Sequence, residues 1–243
     1  MLEHLDPLAL ELTAAIHDGE TTTVRRLVGE HPGLASARMI GGHGRDGGWR
    51  TPLHAVTDWP GYFPAGPEMA ALLLAAGADP DDDTGGRQPE TPLHWAASTD
   101  DVDVAAVLVG AGARLDTPGG SIGTPLDNAV GYGCWHVARL LVTSGAPVEA
   151  LWHAAALGLL ARLDELLAAG PVTQDDLDQA FWQACHGGQR RAAQRLLAAG
   201  ADLTATPSYA AAQTALDVTT ATDTRRQLLA GWLRDRGAPS SAG

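Results

Sequence analysis

Apolar residues recur along this chain in a double beat. A short segment, "TPLHWAA" from Thr91, is followed by "VDVAAVLVGAG", whose apolar positions fall at helical spacing and which runs into Gly112. The first segment returns as "TPLHAVT" at Thr51 and "TPLDNAVG" at Thr124, and the second as "LLLAAGADP", "LLVTSGAPV", "LLAAGPV" and "LLAAGADL". The two sets are in phase: one and the same interval separates Thr91 from Gly112, Thr124 from Gly145, Glu149 from Gly170 and Gln179 from Gly200. Leu10 to His31 fits that interval too, and Thr214 opens a looser last copy. The pattern predicts about seven repeats, starting near residues 10, 51, 91, 124, 149, 179 and 214, in one domain spanning 1–243 with a disordered tail near 238–243.

Each repeat reads as a helical hairpin. Thr91 suits the N-cap, where a hydroxyl accepts a backbone N–H, and Pro92 suits the first helical position, where its missing donor costs nothing. Leu93 points inward, and Ala96 and Ala97 are small enough to let a second helix come close. Gly112 supplies the left-handed residue that ends the second helix. A single hairpin cannot bury its apolar face, so the hairpins must stack.

These motifs resemble the ankyrin repeat. T-P-L-H-x-A stands at Thr91–Ala96 and, with Val in the last place, at Thr51–Val56; "GAD" stands at Gly77–Asp79 and Gly200–Asp202. The step from Thr91 to Thr124 matches the ankyrin period of about 33 residues. The resemblance covers nearly the whole chain. It implies an all-α repeat solenoid, an array of stacked helix-turn-helix units with short β-hairpin fingers, whose concave face usually binds another protein.

The connectors depart from that pattern. Gly112 to Thr124 has the standard length from the closing residue of one repeat to the opening residue of the next. Gly77–Thr91 is slightly longer and His31–Thr51 much longer, whereas Gly170–Gln179 is shorter and Gly145–Glu149 is too short for any hairpin. Fingers are therefore expected to be long near the N-terminus and absent after Gly145, with the array irregular at repeats five and six. There Trp152 and Trp182 take the usual His place, and both are expected to be packing residues. The second repeat, Thr51 to Gly77, is longer than its fellows, and the excess falls in "DWPGYFPAGP", Asp58–Pro67, where Pro and Gly stop helix continuation. Its aromatic rings either fold back on the array or form a rigid lip on the groove.

Carrying over the family's variable positions gives an expected partner surface. It comprises Trp49, Arg50, Asp58, Trp59, Tyr62 and Phe63 from the second repeat and the connector before it, Arg87, Gln88, Glu90, Ser98 and Thr99 from the third, and Tyr132 from the fourth, where Ser121 and Gly131 also match; His17 and Asp18 match in the first. Such a mix of Arg, acids and aromatics is typical of specific interfaces.

Charge narrows the partners. The 243 residues carry 29 acids against 16 basic residues, all Arg, for a net charge of −13. So acidic a chain repels phosphate backbones, which argues against nucleic acid. The absence of Lys removes Schiff-base chemistry and the P-loop lysine. Cys134 and Cys185 form no paired motif, which favours a reducing compartment. The first residues lack a basic leader region, and no apolar run approaches the ~20 residues needed to span a membrane. A cytoplasmic, monomeric protein is expected, and the Lys-free, Ala-, Gly-, Asp- and Arg-rich composition fits a GC-rich bacterial source.

No motif supplies a cofactor, a metal site or a catalytic residue. "GGSIG", Gly119–Gly123, matches G-x-S-x-G, but it precedes a repeat instead of joining a strand to a helix, so Ser121 reads as a turn residue. His54 and His94 belong to T-P-L-H, and His17, His136, His153 and His186 each stand alone. "DPDDD", Asp79–Asp83, lacks the Gly and distal Glu of a calcium loop and reads as a solvated finger turn. "GGHGRDGGWR", from Gly41, reads as a flexible finger, with a phosphate cradle the remote alternative. The expected function is protein–protein interaction through the concave face, and the alternative is a small-molecule-binding protein or enzyme using an aromatic-lined pocket in the same groove.

Overall fold

The structure is a computed structural model that describes residues 1–3, 5–40, 48–210, 212–219 and 223–241. It is an all-α repeat solenoid that divides into two bodies, Met1–Ala146 and Pro147–Gly243.

The N-terminal body holds four helix pairs: α1 (Pro7–His17) with α2 (Thr21–Glu30), α3 (Pro52–Thr57) with α4 (Gly66–Ala75), α5 (Pro92–Thr99) with α6 (Val102–Gly110), and α7 (Pro125–Gly131) with α8 (Trp135–Thr143). First helices touch first helices in the order α1, α3, α5, α7, and second helices follow as α2, α4, α6, α8. Leu12, Leu53, Leu93 and Leu126 of the inner row and Leu27, Leu73, Leu108 and Leu141 of the outer row are buried, with Ala55, Ala96, Ala97 and Ala129 between them. Each such Leu contributes about 1.5–3 kcal/mol, and the alanines permit the close approach.

Connections between neighbouring repeats explain the T-P-L-H motif. His54 turns Nδ1 to the Thr51 N–H at 3.1 Å and the Thr51 hydroxyl at 2.9 Å, while Nε2 lies 2.9 Å from the Glu90 carbonyl. A carbonyl only accepts, so Nε2 carries the proton and Nδ1 is the acceptor. His94 repeats the arrangement with Thr91 and the Gly123 carbonyl, the latter at 3.1 Å. In each case the carbonyl belongs to the residue just before the next repeat's opening Thr.

Among the described residues the fingers form one small sheet. β1 (Leu2–Glu3) runs parallel to β2 (Met39–Ile40), which pairs antiparallel with β3 (Trp49–Arg50), Met39 opposite Arg50. The strand at Leu2 was not foreseen. The Gly-rich finger expected from Gly41 lies, over 41–47, outside the described residues. The later fingers are turns laced together by backbone bonds, Trp49 N–H to Thr84 O at 2.9 Å and Gly120 N–H to Pro89 O at 3.1 Å. The acids of "DPDDD" serve this lacing: Asp82 pairs with Arg38 at 2.8 Å, and Asp81 pairs with Arg114 at 3.2 Å and accepts its backbone N–H.

The C-terminal body contains α9 (Leu151–Leu157), α10 (Leu160–Ala168), α11 (Gln174–His186), α12 (Arg190–Ala198) and α13 (Thr224–Arg234). Phe181, Leu163, Leu196, Leu229 and Leu233 form its core. The sixth repeat was expected to open near Gln179, but α11 begins a full turn earlier. Thr173 and Asp176 make a reciprocal cap, Thr173 Oγ1 donating to Asp176 Oδ2 at 2.6 Å and accepting the Asp176 N–H at 3.2 Å. The first helix of the last repeat is a single 3-10 turn, Asp217–Thr219, among the described residues.

One expectation is extended here and one corrected. Trp182 packs in the core as expected, and its Nε1–H also donates to the Gln213 carbonyl at 2.8 Å, where Gln213 precedes Thr214 as Gly123 precedes Thr124. The segment from 238, expected to be a disordered tail, is tied down through Ser241. Ala238 N–H reaches Leu233 O, Thr214 Oγ1 reaches Pro239 O, and Ser240 and Ser241 both donate to Asp217. Burial acts to raise the Asp217 pKa, but the donors from Thr214, Ser240 and Ser241 outweigh it and hold the carboxyl well below the usual range.

Candidate functional site

The inner helices of repeats two to four present their C-terminal ends, with the connectors between them, to a cleft of about 360 Å³. It is lined by Thr57, Asp58, Trp59, Glu90, Trp95, Ser98, Thr99, Ser121 and Tyr132. The structure thus gathers Asp58, Trp59, Glu90, Ser98, Thr99 and Tyr132 from the predicted surface into one concavity. Trp59 is 81% exposed and Tyr132 52%, large values for aromatic side chains.

The floor is a polar network built on Glu90. Its Oε2 accepts the Trp95 indole N–H at 2.9 Å, and its Oε1 accepts the Ser121 N–H at 2.9 Å and an amide N–H of Asn128 at 3.3 Å. Asn128 is fully buried; its other contacts are to the Ile122 N–H and the Ser98 hydroxyl. The Ser121 hydroxyl lies 2.9 Å from the Tyr132 hydroxyl. Asp58 forms a 3.0 Å ion pair with Arg50, both side chains mostly sheltered. Thr57 and Asn128 were missed by sequence reasoning. Asn128 occupies the place that Trp95 holds one repeat earlier; a polar residue there, between Leu126 and Ala129, was a usable signal.

The insertion divides its three rings among three tasks. Trp59 faces the cleft. Tyr62 turns to the third repeat, where its N–H donates to Asp101 Oδ2 at 2.9 Å and its hydroxyl to the Asp100 carbonyl. Phe63 folds onto the first repeat and stacks on His17, centroids 4.2 Å apart and nearly parallel. The loop is pressed between these neighbours: a Cβ on Gly61, whose φ is +79°, would sit 2.8 Å from Thr99 Cβ. Asp100 continues the chain of contacts, accepting the His136 and Val137 N–H groups at 3.0 Å and so capping α8.

The remaining predicted residues stand apart from the cleft. Trp49 lies against Gly85, with the Arg38 guanidinium 4.4 Å from its ring centre. Arg87 and Gln88 are exposed on the second finger, outside the lining.

Titrating groups near the cleft are structural. His17 is lowered from its ordinary pKa, by burial first, with Asp58 opposing, and its Nε2–H donates to Ala55 O at 3.1 Å. Burial brings His54 down to about 4 and also lowers His94. Among the described residues no group of three or more His, Cys, Asp or Glu is placed to hold a metal ion. No helix among them is long and apolar enough to cross a membrane.

No curated protein matches the chain. A family model described as "Ankyrin repeats (3 copies)" matches residues 62–150, the segment that contributes most of the cleft. With stacked hairpins, T-P-L-H bonds across repeats and this match together, residues 62–150 carry ankyrin repeats.

Proposed function

We propose that the protein binds a partner protein through the concave face of repeats two to four, centred on the cleft between Trp59 and Tyr132. Ankyrin repeats are generally protein–protein interaction modules. The observation that carries the reading is the exposure of Trp59 and Tyr132 at the rim of a cleft whose polar floor is already hydrogen-bonded. Rigid aromatic anchors beside an ordered, hydrogen-bonded polar floor are typical of interface hot spots. Trp49, Arg87 and Gln88 belong to the outer margin of such a surface, and Tyr62 and Phe63 act by holding the lip that bears Trp59.

The test compares native chain with a Trp59→Ala/Tyr132→Ala double variant in quantitative affinity capture and direct binding. Both replaced residues are exposed, so the fold should persist, as checked by thermal melting. Loss of two anchors should weaken binding by at least about 30-fold. Unchanged affinity of every captured partner would place the binding surface elsewhere.

A further inference from the structure

We infer that the cleft receives the guanidinium of an arginine side chain from the partner. The inference rests on the concave-face reading and specifies the chemistry of its central contact. Three observations converge on a cation. The walls are flat aromatic rings, Trp59 and Tyr132 at the rim and Trp95 deeper, and ring faces attract cations. The floor carries the Glu90 carboxylate, whose donors from Trp95, Ser121 and Asn128 are all neutral, so its charge is left uncompensated. Asp58, the other lining acid, is already paired with Arg50, and no Arg or His lines the cleft among the described residues.

The wider field agrees. Residues 1–146 contain 19 acids and eight arginines, so the body that bears the cleft repels anions and draws cations in. An apolar occupant would cover Glu90 without a counter-charge, which is unfavourable. Arginine fits better than a point-charge ammonium because its planar fork stacks on rings while donating N–H bonds at its edge. Glu90 keeps an acceptor position for it: Oε1 takes two donors, whereas Oε2 takes only Trp95 among the described residues.

The experiment titrates the full chain, ¹⁵N-labelled at its indoles, with N-acetyl-arginine amide and separately with its neutral isostere N-acetyl-citrulline amide. The Trp59 and Trp95 indole signals should move with the arginine probe and not with citrulline, while those of Trp182 and Trp232 stay put. Glu90→Gln should weaken the arginine response at least about five-fold. Tyr132→Leu, which leaves the three donors to Glu90 in place, should weaken it at least about three-fold and guards against misreading a fold defect in the first variant. No response, an equal response to citrulline, or unchanged titration of both variants would overturn the inference. A partner that is lost by Trp59→Ala/Tyr132→Ala but binds Glu90→Gln as well as native would leave the concave-face reading standing and remove only the arginine.

Discussion

His54, His94 and Trp182 each send one ring N–H to the carbonyl just ahead of the next repeat's threonine, at 2.9, 3.1 and 2.8 Å. In these three repeats the place holds a donor, and imidazole and indole both provide it; in the fourth, Asp127 stands there and accepts from Thr124 instead. Trp182→Phe would leave the Gln213 carbonyl without that donor, at a cost of about 1–3 kcal/mol. Denaturant unfolding of the variant should show it as a lower midpoint with unchanged cooperativity. The histidines also make stability depend on pH. Burial lowers the folded-state pKa of His54 to about 4 from an ordinary 6.5, and His186, half-buried and facing Arg226, is also lowered to about 4. Between those values the unfolded chain takes up a proton that the folded chain refuses. The contribution is complete above about pH 6.5 and is lost as pH falls towards 4, about 3 kcal/mol for His54 alone. Unfolding midpoints at about pH 7 and about pH 4.5 should differ accordingly, and a flat profile would contradict the buried neutral state.

At the scale of elements, the insertion of the second repeat is a strap. Tyr62 and Ala65 both adopt φ of 55°, a conformation that costs a non-glycine residue about 1–2 kcal/mol. Contacts at both ends hold it there, Phe63 on His17 and the Tyr62 N–H on Asp101. Two neighbouring aromatics should therefore respond oppositely. Phe63→Ala should destabilise the N-terminal body by about 1–3 kcal/mol, whereas Trp59→Ala should change stability by less than about 0.5 kcal/mol; parallel melts of the two variants decide it. The repeats were legible because Thr-Pro starts and Gly stops are local signals. The division of labour inside "DWPGYFPAGP" was not, because which ring meets His17 depends on a neighbour in the preceding repeat, far away along the chain. The early start of α11 had a local signal, the Thr173–Asp176 cap, which opens a helix without the Thr-Pro pair of repeats two to four.

For the molecule as a whole, the charge of −13 is the dominant electrostatic fact. Ion pairs such as Arg26–Glu11 and Arg195–Asp164 are exposed and contribute little, while like-charge repulsion acts across the whole surface. Raising ionic strength from about 10 mM to about 150 mM should therefore raise the melting temperature at neutral pH. A fall would mean that the exposed pairs outweigh the repulsion. The fold class was readable from the repeat alone, and the cleft only in part: variable positions named its rim, but Asn128 and the Glu90 network became visible only once three repeats stood side by side. The placement of Trp59 has an optical consequence. Of the seven tryptophans it is the one that is exposed; the others are buried or half-buried. A neutral quencher such as acrylamide should extinguish its red-shifted share of the emission first, and anything that seats in the cleft should shield it. The native chain therefore carries its own unlabelled fluorescent gauge of whether the groove is empty or filled.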